Sequence, residues 1–173
     1  MTKDRFKREV PEGDTHERLV CNDCGFINYV NPRVIVGAIC TWEDRILMCK
    51  RAINPRAGYW TLPAGFMELH ETPMEGAARE TAEEANADVA LDALLGVYTI
   101  ERVGQVQLFY RGRLRSPAIS PGIESLEVAL YTWDEIPWDD IAFSSVHWAL
   151  HHFREIGQEG AFQPFSNPDG LTD

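Results

Sequence analysis

The residues best equipped for chemistry form one run, Gly65-x5-Glu71-x7-Arg79-Glu80-Thr81-Ala82-Glu83-Glu84. On a helix, at about 100° per residue, Glu80, Glu83 and Glu84 fall within about 100° of arc, so one face carries three carboxylates. Like charges three or four residues apart cost a few tenths of a kcal/mol per pair on a bare helix, on the order of 0.2–0.5. A divalent cation reverses the sign of that effect. Mg²⁺ and Mn²⁺ favour carboxylate and carbonyl oxygens, and Mg²⁺ is commonly shared with substrate phosphates. Gly65, read as a loop position where the backbone can approach closely, adds its carbonyl oxygen to the candidate ligands Glu80, Glu83 and Glu84. Glu71 and Arg79 are the ion pair expected to fix how those carboxylates point. Such a set suits an anionic substrate, whose charge the bound cation rather than the acidic protein would neutralise.

The flanking sequence says how the run is held. Thr72-Pro73-Met74-Glu75 predicts a helix start, with Thr72 as cap, Pro73 at the first helical position and Glu75 closing a capping box. The helix is expected to reach about Ala85, with Asn86 in the left-handed conformation that ends it. Met74, Ala78, Thr81, Ala82 and Ala85 are the face predicted to lie on a sheet. That sheet is expected from Val34–Cys40 with Arg45–Arg51 as its antiparallel neighbour, then Leu94–Glu101, Val106–Leu114 and Glu127–Trp133. A second amphipathic helix, capped by Ser144 or Ser145, presents Val146, Leu150 and Phe153 and stops at Gly157. Residues 1–20, with charges of both signs, Pro11 and Gly13, read as a weakly ordered lead-in.

Composition narrows the function. The chain has 173 residues, 45% of them hydrophobic, and a net charge of −11. A packed core is available, whereas a broad basic face for DNA or RNA is not. No secretory h-region opens the sequence and no long uncharged apolar run occurs, so the expectation is a soluble cytoplasmic protein with no membrane partner. Eight acidic residues and one arginine lie between Glu68 and Asp92, so much of the negative charge is local to the carboxylate helix. Cys40 and Cys49 sit in apolar runs and read as reduced core residues. Cys21-x2-Cys24-Gly25 has zinc-knuckle spacing. His16 is a candidate third ligand, leaving open whether Zn²⁺ binds or the turn is metal-free. His147, His151 and His152 read as residues of an ordinary terminal helix.

The central run resembles the Nudix box, G-x5-E-x7-R-E-U-x-E-E-x-G-U with U apolar. Thr81 stands where an aliphatic residue is usual, Asn86 replaces the last glycine, and Ala87 is a small final apolar residue. Further runs, Tyr29-Val30-Asn31-Pro32-Arg33-Val34, Gly58 to Gly65, Pro121 to Glu127 and Asp134 to Ser145, are similar to those of plastid FAD pyrophosphatases that also accept ADP-ribose, and of their bacterial relatives. The resemblance implies an α/β (α+β) fold: an α/β/α sandwich with a mixed sheet flanked by the box helix and a C-terminal helix. It implies an N-terminal extension over residues 1–32 with a partial zinc ribbon, lacking the earlier C-x-x-C of its relatives, a hydrolase domain over 33–160 and a tail over 161–173.

The activity implied is metal-dependent hydrolysis of FAD or ADP-ribose, giving AMP plus FMN or ribose 5-phosphate, by a homodimer. Alternatives are an NADH or nucleoside triphosphate pyrophosphatase and a non-catalytic ADP-ribose sensor. In such a mechanism Glu83, Glu84 and Arg79 serve the catalytic centre. The base is expected on a separate loop at Glu124 or Glu127, with Glu127 favoured because it opens a strand. Lys50, Arg51, Arg56 and Arg102 are the candidate phosphate grips, Arg51 and Arg102 foremost. Trp60, Tyr59 and Phe109 are candidate stacking surfaces for a nucleobase or flavin.

Overall fold

The computed structural model describes residues 5–158 and 160–171. Two compact units result, residues 1–32 and 33–173. In the first, β1 (Phe6–Glu9), β2 (Arg18–Cys21) and β3 (Ile27–Asn28) form a three-stranded antiparallel sheet. The lead-in expected to be weakly ordered therefore contains a strand, with Phe6 opposite Cys21 and Glu9 opposite Arg18. Asp14 organises the turn between them: its carboxylate accepts from the Thr15 and His16 amides at 2.7 and 3.1 Å and from Arg18 Nε at 3.0 Å. This is a side-chain-closed turn of the kind Asp favours. A strand as charged as Phe6–Glu9 carries no hydrophobic periodicity by which to be recognised.

The second unit comprises β4 (Arg33–Trp42), β5 (Arg45–Arg51), β6 (Trp60–Thr61), β7 (Ala64–Phe66), α1 (Pro73–Ala85), β8 (Val89–Ile100), β9 (Gln105–Leu114), β10 (Ser125–Tyr131) and α2 (Ser144–Ile156). Its sheet runs β10-β5-β4-β9-β8, with β4 and β9 parallel and the other pairs antiparallel. Side chains along β4 and β5 alternate between two cores, as the pleat requires. Val36, Ala38, Cys40, Leu47 and Cys49 join the α1 side, while Ile39, Ile46 and Met48 join the α2 side. The result is an α/β/α sandwich with a mixed sheet.

One irregularity of the sheet shapes the site. Strand β5 pairs with β4 only at Thr41–Ile46 and Trp42–Arg45, then diverges to pair with β6 and β10. The vacated edge of β4 is taken by β7, with Ile35, Val36 and Gly37 opposite Phe66, Gly65 and Ala64. The sheet thus splays between β5 and β7, and a cleft opens there.

Helix α1 has the expected start and stop. Glu75 N donates to Thr72 Oγ1 at 3.3 Å, Thr72 N donates to the Glu75 carboxylate at 2.8 Å, and Asn86 is left-handed with φ 46°. Its packed face differs from the expected one: Gly76, Ala77, Thr81, Glu84 and Ala85 are buried, whereas Met74 and Ala82 are exposed. The helix is turned so that Glu84 faces inward. Thr81 fits this apolar position because its hydroxyl donates to Ala77 O at 2.8 Å. Helix α2 starts after Phe143 with no side-chain cap, and Ser145 is buried instead of capping. Strand β8 begins at Val89, earlier than the apolar run suggests, with bulges near Leu91 and Leu94. Residues beyond α2 do not trail away: Phe165 forms a parallel bridge with Gly96, and Asn167 brackets the Thr99 backbone through both amide atoms at 2.8 Å.

Candidate active site

The cleft between the splayed strands encloses about 1780 Å³. Helix α1 contributes Arg79, Glu80, Glu83 and Glu84 to its wall, β7 contributes Gly65 and Phe66, and the 119–124 loop contributes Glu124. Gly65 lies in strand β7 rather than at a loop turn, and its missing side chain is a steric requirement. The Glu80 carboxylate sits against its α-carbon, leaving no room for a Cβ.

Arg79 ties the carboxylates together. Its guanidinium holds Glu71 at 2.9 and 3.0 Å, Glu80 at 2.7 Å, Glu83 at 2.8 Å and the Phe66 carbonyl at 3.0 Å. The Arg79 bond, followed by the Glu68 amide, pulls the Glu71 carboxyl down to about 2. Burial pushes Glu80 up, with Arg79 opposing. Glu83 keeps 58% of its side chain exposed and reaches solvent.

Glu84 is unlike the other two. It is 7% exposed, and its Oε2 has no hydrogen-bond partner among the described residues. Burial, reinforced by Glu80 and opposed by Arg51, pushes its pKa up to about 8. A buried carboxylate oxygen with no partner is costly. An incoming hard cation supplies the missing positive charge, so the donor set fits Mg²⁺ or Mn²⁺. No three His, Cys, Asp or Glu side chains are preassembled as a cage among the described residues. Instead the Arg79 guanidinium holds Glu80 and Glu83.

Glu124 reaches the cleft because its loop is fastened to the end of α1. Ser120 N donates to Ala85 O, Gly122 N to Glu84 O, and Asn86 Nδ2 to the Ser120 and Pro121 carbonyls. A Cβ on Gly122 would overlap the Glu83 carbonyl, so only glycine permits this approach. Glu127 goes elsewhere. A bulge between Ser125 and Glu127 sets Ser125 opposite Arg51 but Glu127 opposite Lys50, on the other face. Glu127 is 55% exposed, lies 3.7 Å from Lys50 Nζ and does not line the cleft. The two carboxylates that the sequence offered as alternatives are therefore separated.

Arg51, Arg56 and Arg102 line the cleft, whereas Lys50 does not. Arg51 is braced, its Nε 2.9 Å from the Pro55 carbonyl and its guanidinium 5.0 Å from the Phe143 ring centroid. Arg102 sits on the short 3-10 turn Glu101–Val103. Trp60 is not a stacking surface: it is buried edge-on to Tyr131, on the α2 side of the core. Tyr59 lies outside the cleft lining beneath Arg56, and Phe109 is buried in the cleft floor. The exposed cleft aromatic is Phe66, at 49%. Nothing in its residue type marks Phe66 in the sequence, although the residue after a glycine in a strand projects to the opposite face.

In the N-terminal unit, Cys21 is half-buried and Cys24 exposed, and both are free thiols. His16 Nδ1 bonds to Thr15 Oγ1 at 2.9 Å, and no three metal-ligating side chains converge among the described residues. The third ligand proposed from sequence is not brought to the pair. The Asp23 amide, then the Cys24 amide and thiol, lower the Cys21 pKa. His151 and His147 stack on Trp138, and His152 bonds to Tyr98, which gives the three histidines packing roles. No helix among the described residues is long and apolar enough to cross a membrane.

Comparison with known proteins agrees with this architecture. The chain is 49% identical to a NUDIX hydrolase from Nitrosomonas europaea of known structure, covering 93% of each chain with a TM-score of 0.85. It is 37% identical over 102 residues to a MutT-like protein of Streptomyces ambofaciens, spanning 59% of this chain and 64% of that one. It is 41% identical over 71 residues to an ADP-ribose pyrophosphatase of Methanocaldococcus jannaschii, spanning 41% of this chain and 42% of that one. The match thus covers less than two thirds of either curated relative. A Nudix N-terminal family model, of the zinc-ribbon type, matches residues 4–30. The NUDIX domain model matches residues 31–149, the segment that builds the splayed sheet and carboxylate helix, and the chain belongs to the NUDIX family.

Proposed function

We propose that the protein hydrolyses the diphosphate bond of a nucleoside diphosphate linked to another moiety, with FAD or ADP-ribose as substrate, giving AMP plus FMN or ribose 5-phosphate. The observation that carries this reading is the unpartnered, buried Glu84 oxygen beside Glu80, Glu83 and Glu124 on one cleft wall. A volume of about 1780 Å³ exceeds the roughly 300–1,000 Å³ of ordinary small-ligand sites, which favours a two-part substrate over a single nucleotide.

Glu80, Glu83, Glu84 and the Gly65 carbonyl are the proposed ligands for Mg²⁺ or Mn²⁺, which when bound neutralises phosphoryl oxygens. Arg51 and Arg102 hold the outer phosphate oxygens, and Arg79 positions the carboxylates. Glu124 takes the proton of the attacking water as its oxygen bonds to phosphorus. The bond from that phosphorus to the bridging oxygen breaks, leaving two monophosphates. Glu124 replaces Glu127 as the proposed base because it alone of the two lines the cleft.

Intact carboxylates favour an enzyme over a sensor, which needs only to bind. The test is a turnover panel of FAD, ADP-ribose, NADH and nucleoside triphosphates with Mg²⁺ or Mn²⁺. Cleavage of FAD or ADP-ribose well above the rest is expected; binding without turnover of any of them overturns the proposal. The homodimer that the family resemblance implies is checked by sizing chromatography at several concentrations.

A further inference from the structure

Away from the carboxylates, the cleft floor is a stretch of the sheet. Register places Phe66 (β7) opposite Ile35 (β4), Ile35 opposite Gln107 (β9), and Gln107 opposite Tyr98 (β8). Residues directly opposite on neighbouring strands share a face, so these four side chains form one rank across the sheet. Phe66, Ile35, Gln105 and Gln107 all line the cleft, while Tyr98 is buried and closes the far end. Two strand spacings separate Phe66 from Gln107, about 10 Å between their backbones. An aromatic ring and a side-chain amide thus flank an aliphatic floor over a width suited to one planar heterocycle.

The glutamines are coupled. Gln107 Nε2 donates to Gln105 Oε1 at 3.0 Å. Each side-chain amide carries a donor and an acceptor end, so the bond consumes one of each and leaves the opposite ends outward. Exchanging oxygen and nitrogen in both side chains leaves the same outcome, one donor beside one acceptor. A nucleobase presents a matching couple on its edge, as when glutamine reads the amino group and ring nitrogen of adenine. The dione of a flavin presents a donor beside an acceptor too.

We propose that Gln105 and Gln107 read the edge of the substrate's planar heterocycle while Phe66 and Ile35 take its face. The subsite explains how a cleft with a charged wall selects a base-bearing diphosphate: the carboxylate wall sees only phosphates, and the amide pair sees only the ring. The inference deepens the proposed function but can be tested apart from turnover. Binding of AMP, FMN and ribose 5-phosphate is measured calorimetrically in the presence of Mg²⁺, for the wild type, Gln107→Leu and Gln107→Glu. AMP and FMN distinguish the adenine from the flavin end.

The expected result is at least a tenfold weakening of AMP or FMN in both variants, with ribose 5-phosphate unchanged. Gln107→Glu retains the shape while removing the donor, so it serves where Gln107→Leu disturbs folding; a thermal melt checks both. Affinities for AMP and FMN unchanged in the folded variants, or no binding of either by the wild type, overturn the assignment. Glutamine-dependent binding without turnover of any diphosphate overturns the proposed hydrolysis and leaves the subsite standing. Turnover with glutamine-independent binding does the reverse.

Discussion

The carboxylate of Glu80 rests directly on the α-carbon of Gly65, with no space for a methyl group between them. The glycine that begins the sequence motif is therefore a steric requirement of the acid that lies fifteen positions later. Gly65→Ala is expected to push Glu80 away from Glu83 and Glu84. Since disturbing the support of a metal ligand typically costs about 10–100-fold in affinity or activity, kcat/KM for ADP-ribose should fall by about that factor. Circular dichroism should show an intact fold. Activity near wild type would mean that Glu80 is not needed where it stands.

Glu84 is the strongest candidate for linkage between cation and stability. In chelator-treated protein, Glu84→Gln should melt at a higher temperature at pH 8 than the wild type, because it removes a buried carboxylate whose Oε2 has no partner. Mg²⁺ or Mn²⁺ should raise the melting temperature of the wild type, by about 2.7 kcal/mol of added stability at one hundred times Kd. The variant should respond weakly. Equal responses from both proteins would remove Glu84 from the ligand set.

Glu124→Gln should lower kcat by about 10²–10⁴-fold, the range of a lost general base. Glu127→Gln should change kcat by less than about threefold, since surface pairs such as Glu127–Lys50 contribute little. A larger loss at Glu127 than at Glu124 reverses the assignment.

His152 makes one acid-sensitive contribution to stability. It bonds through Nδ1 to Tyr98 Oη at 2.8 Å and stacks on Phe165 at 4.1 Å, and burial depresses its pKa below the usual 6.5, with His151 adding to the effect and Glu155 opposing it. His147 is depressed likewise, by burial and then by His151. A base with a lowered folded pKa binds fewer protons in the folded state. Its stability contribution is present above pH 6.5 and is lost as pH falls through the unfolded value. Glu84, raised to about 8, acts in the opposite sense in both proteins, so His152 is read from the difference: between pH 7.5 and 5.5 the melting temperature of His152→Gln should rise relative to that of the wild type. Parallel curves for the two proteins would falsify the role of His152.

The four cysteines should divide in pairs. Burial pushes Cys40 up to about 12 and Cys49 upward as well, so neither should react with iodoacetamide in the native state. Cys21 and Cys24 should be alkylated rapidly, Cys21 helped by its lowered pKa. Mass spectrometry after a timed pulse reads the pattern, and labelling of Cys49 before Cys24 contradicts it.

What the sequence disclosed was local. The caps of α1, the left-handed Asn86 and the three carboxylates depend on spacing within one helix, and spacing is visible in a chain. The direction in which α1 turns depends on the sheet beneath it, so the burial of Glu84 could not be seen. Glu124 and Glu127 differ because of a bulge and because a loop is fastened to the end of a helix 34 residues away in sequence. Phe66 outranks Trp60 as the exposed cleft aromatic for a similar reason. The alternation of β7 against β4 decides which ring meets the cleft, and no composition or periodicity of a three-residue strand announces it.

The guanidinium of Arg79, lodged among Glu71, Glu80 and Glu83, also bears on the protein's biogenesis. A nascent chain needs no supply of divalent ions to complete its carboxylate helix, since its own arginine quiets the repulsion first. On the proposed metal assignment, loading would be a late exchange on a finished scaffold. A shortage of magnesium or manganese would then leave the cell with an idle but intact reserve instead of debris for its proteases.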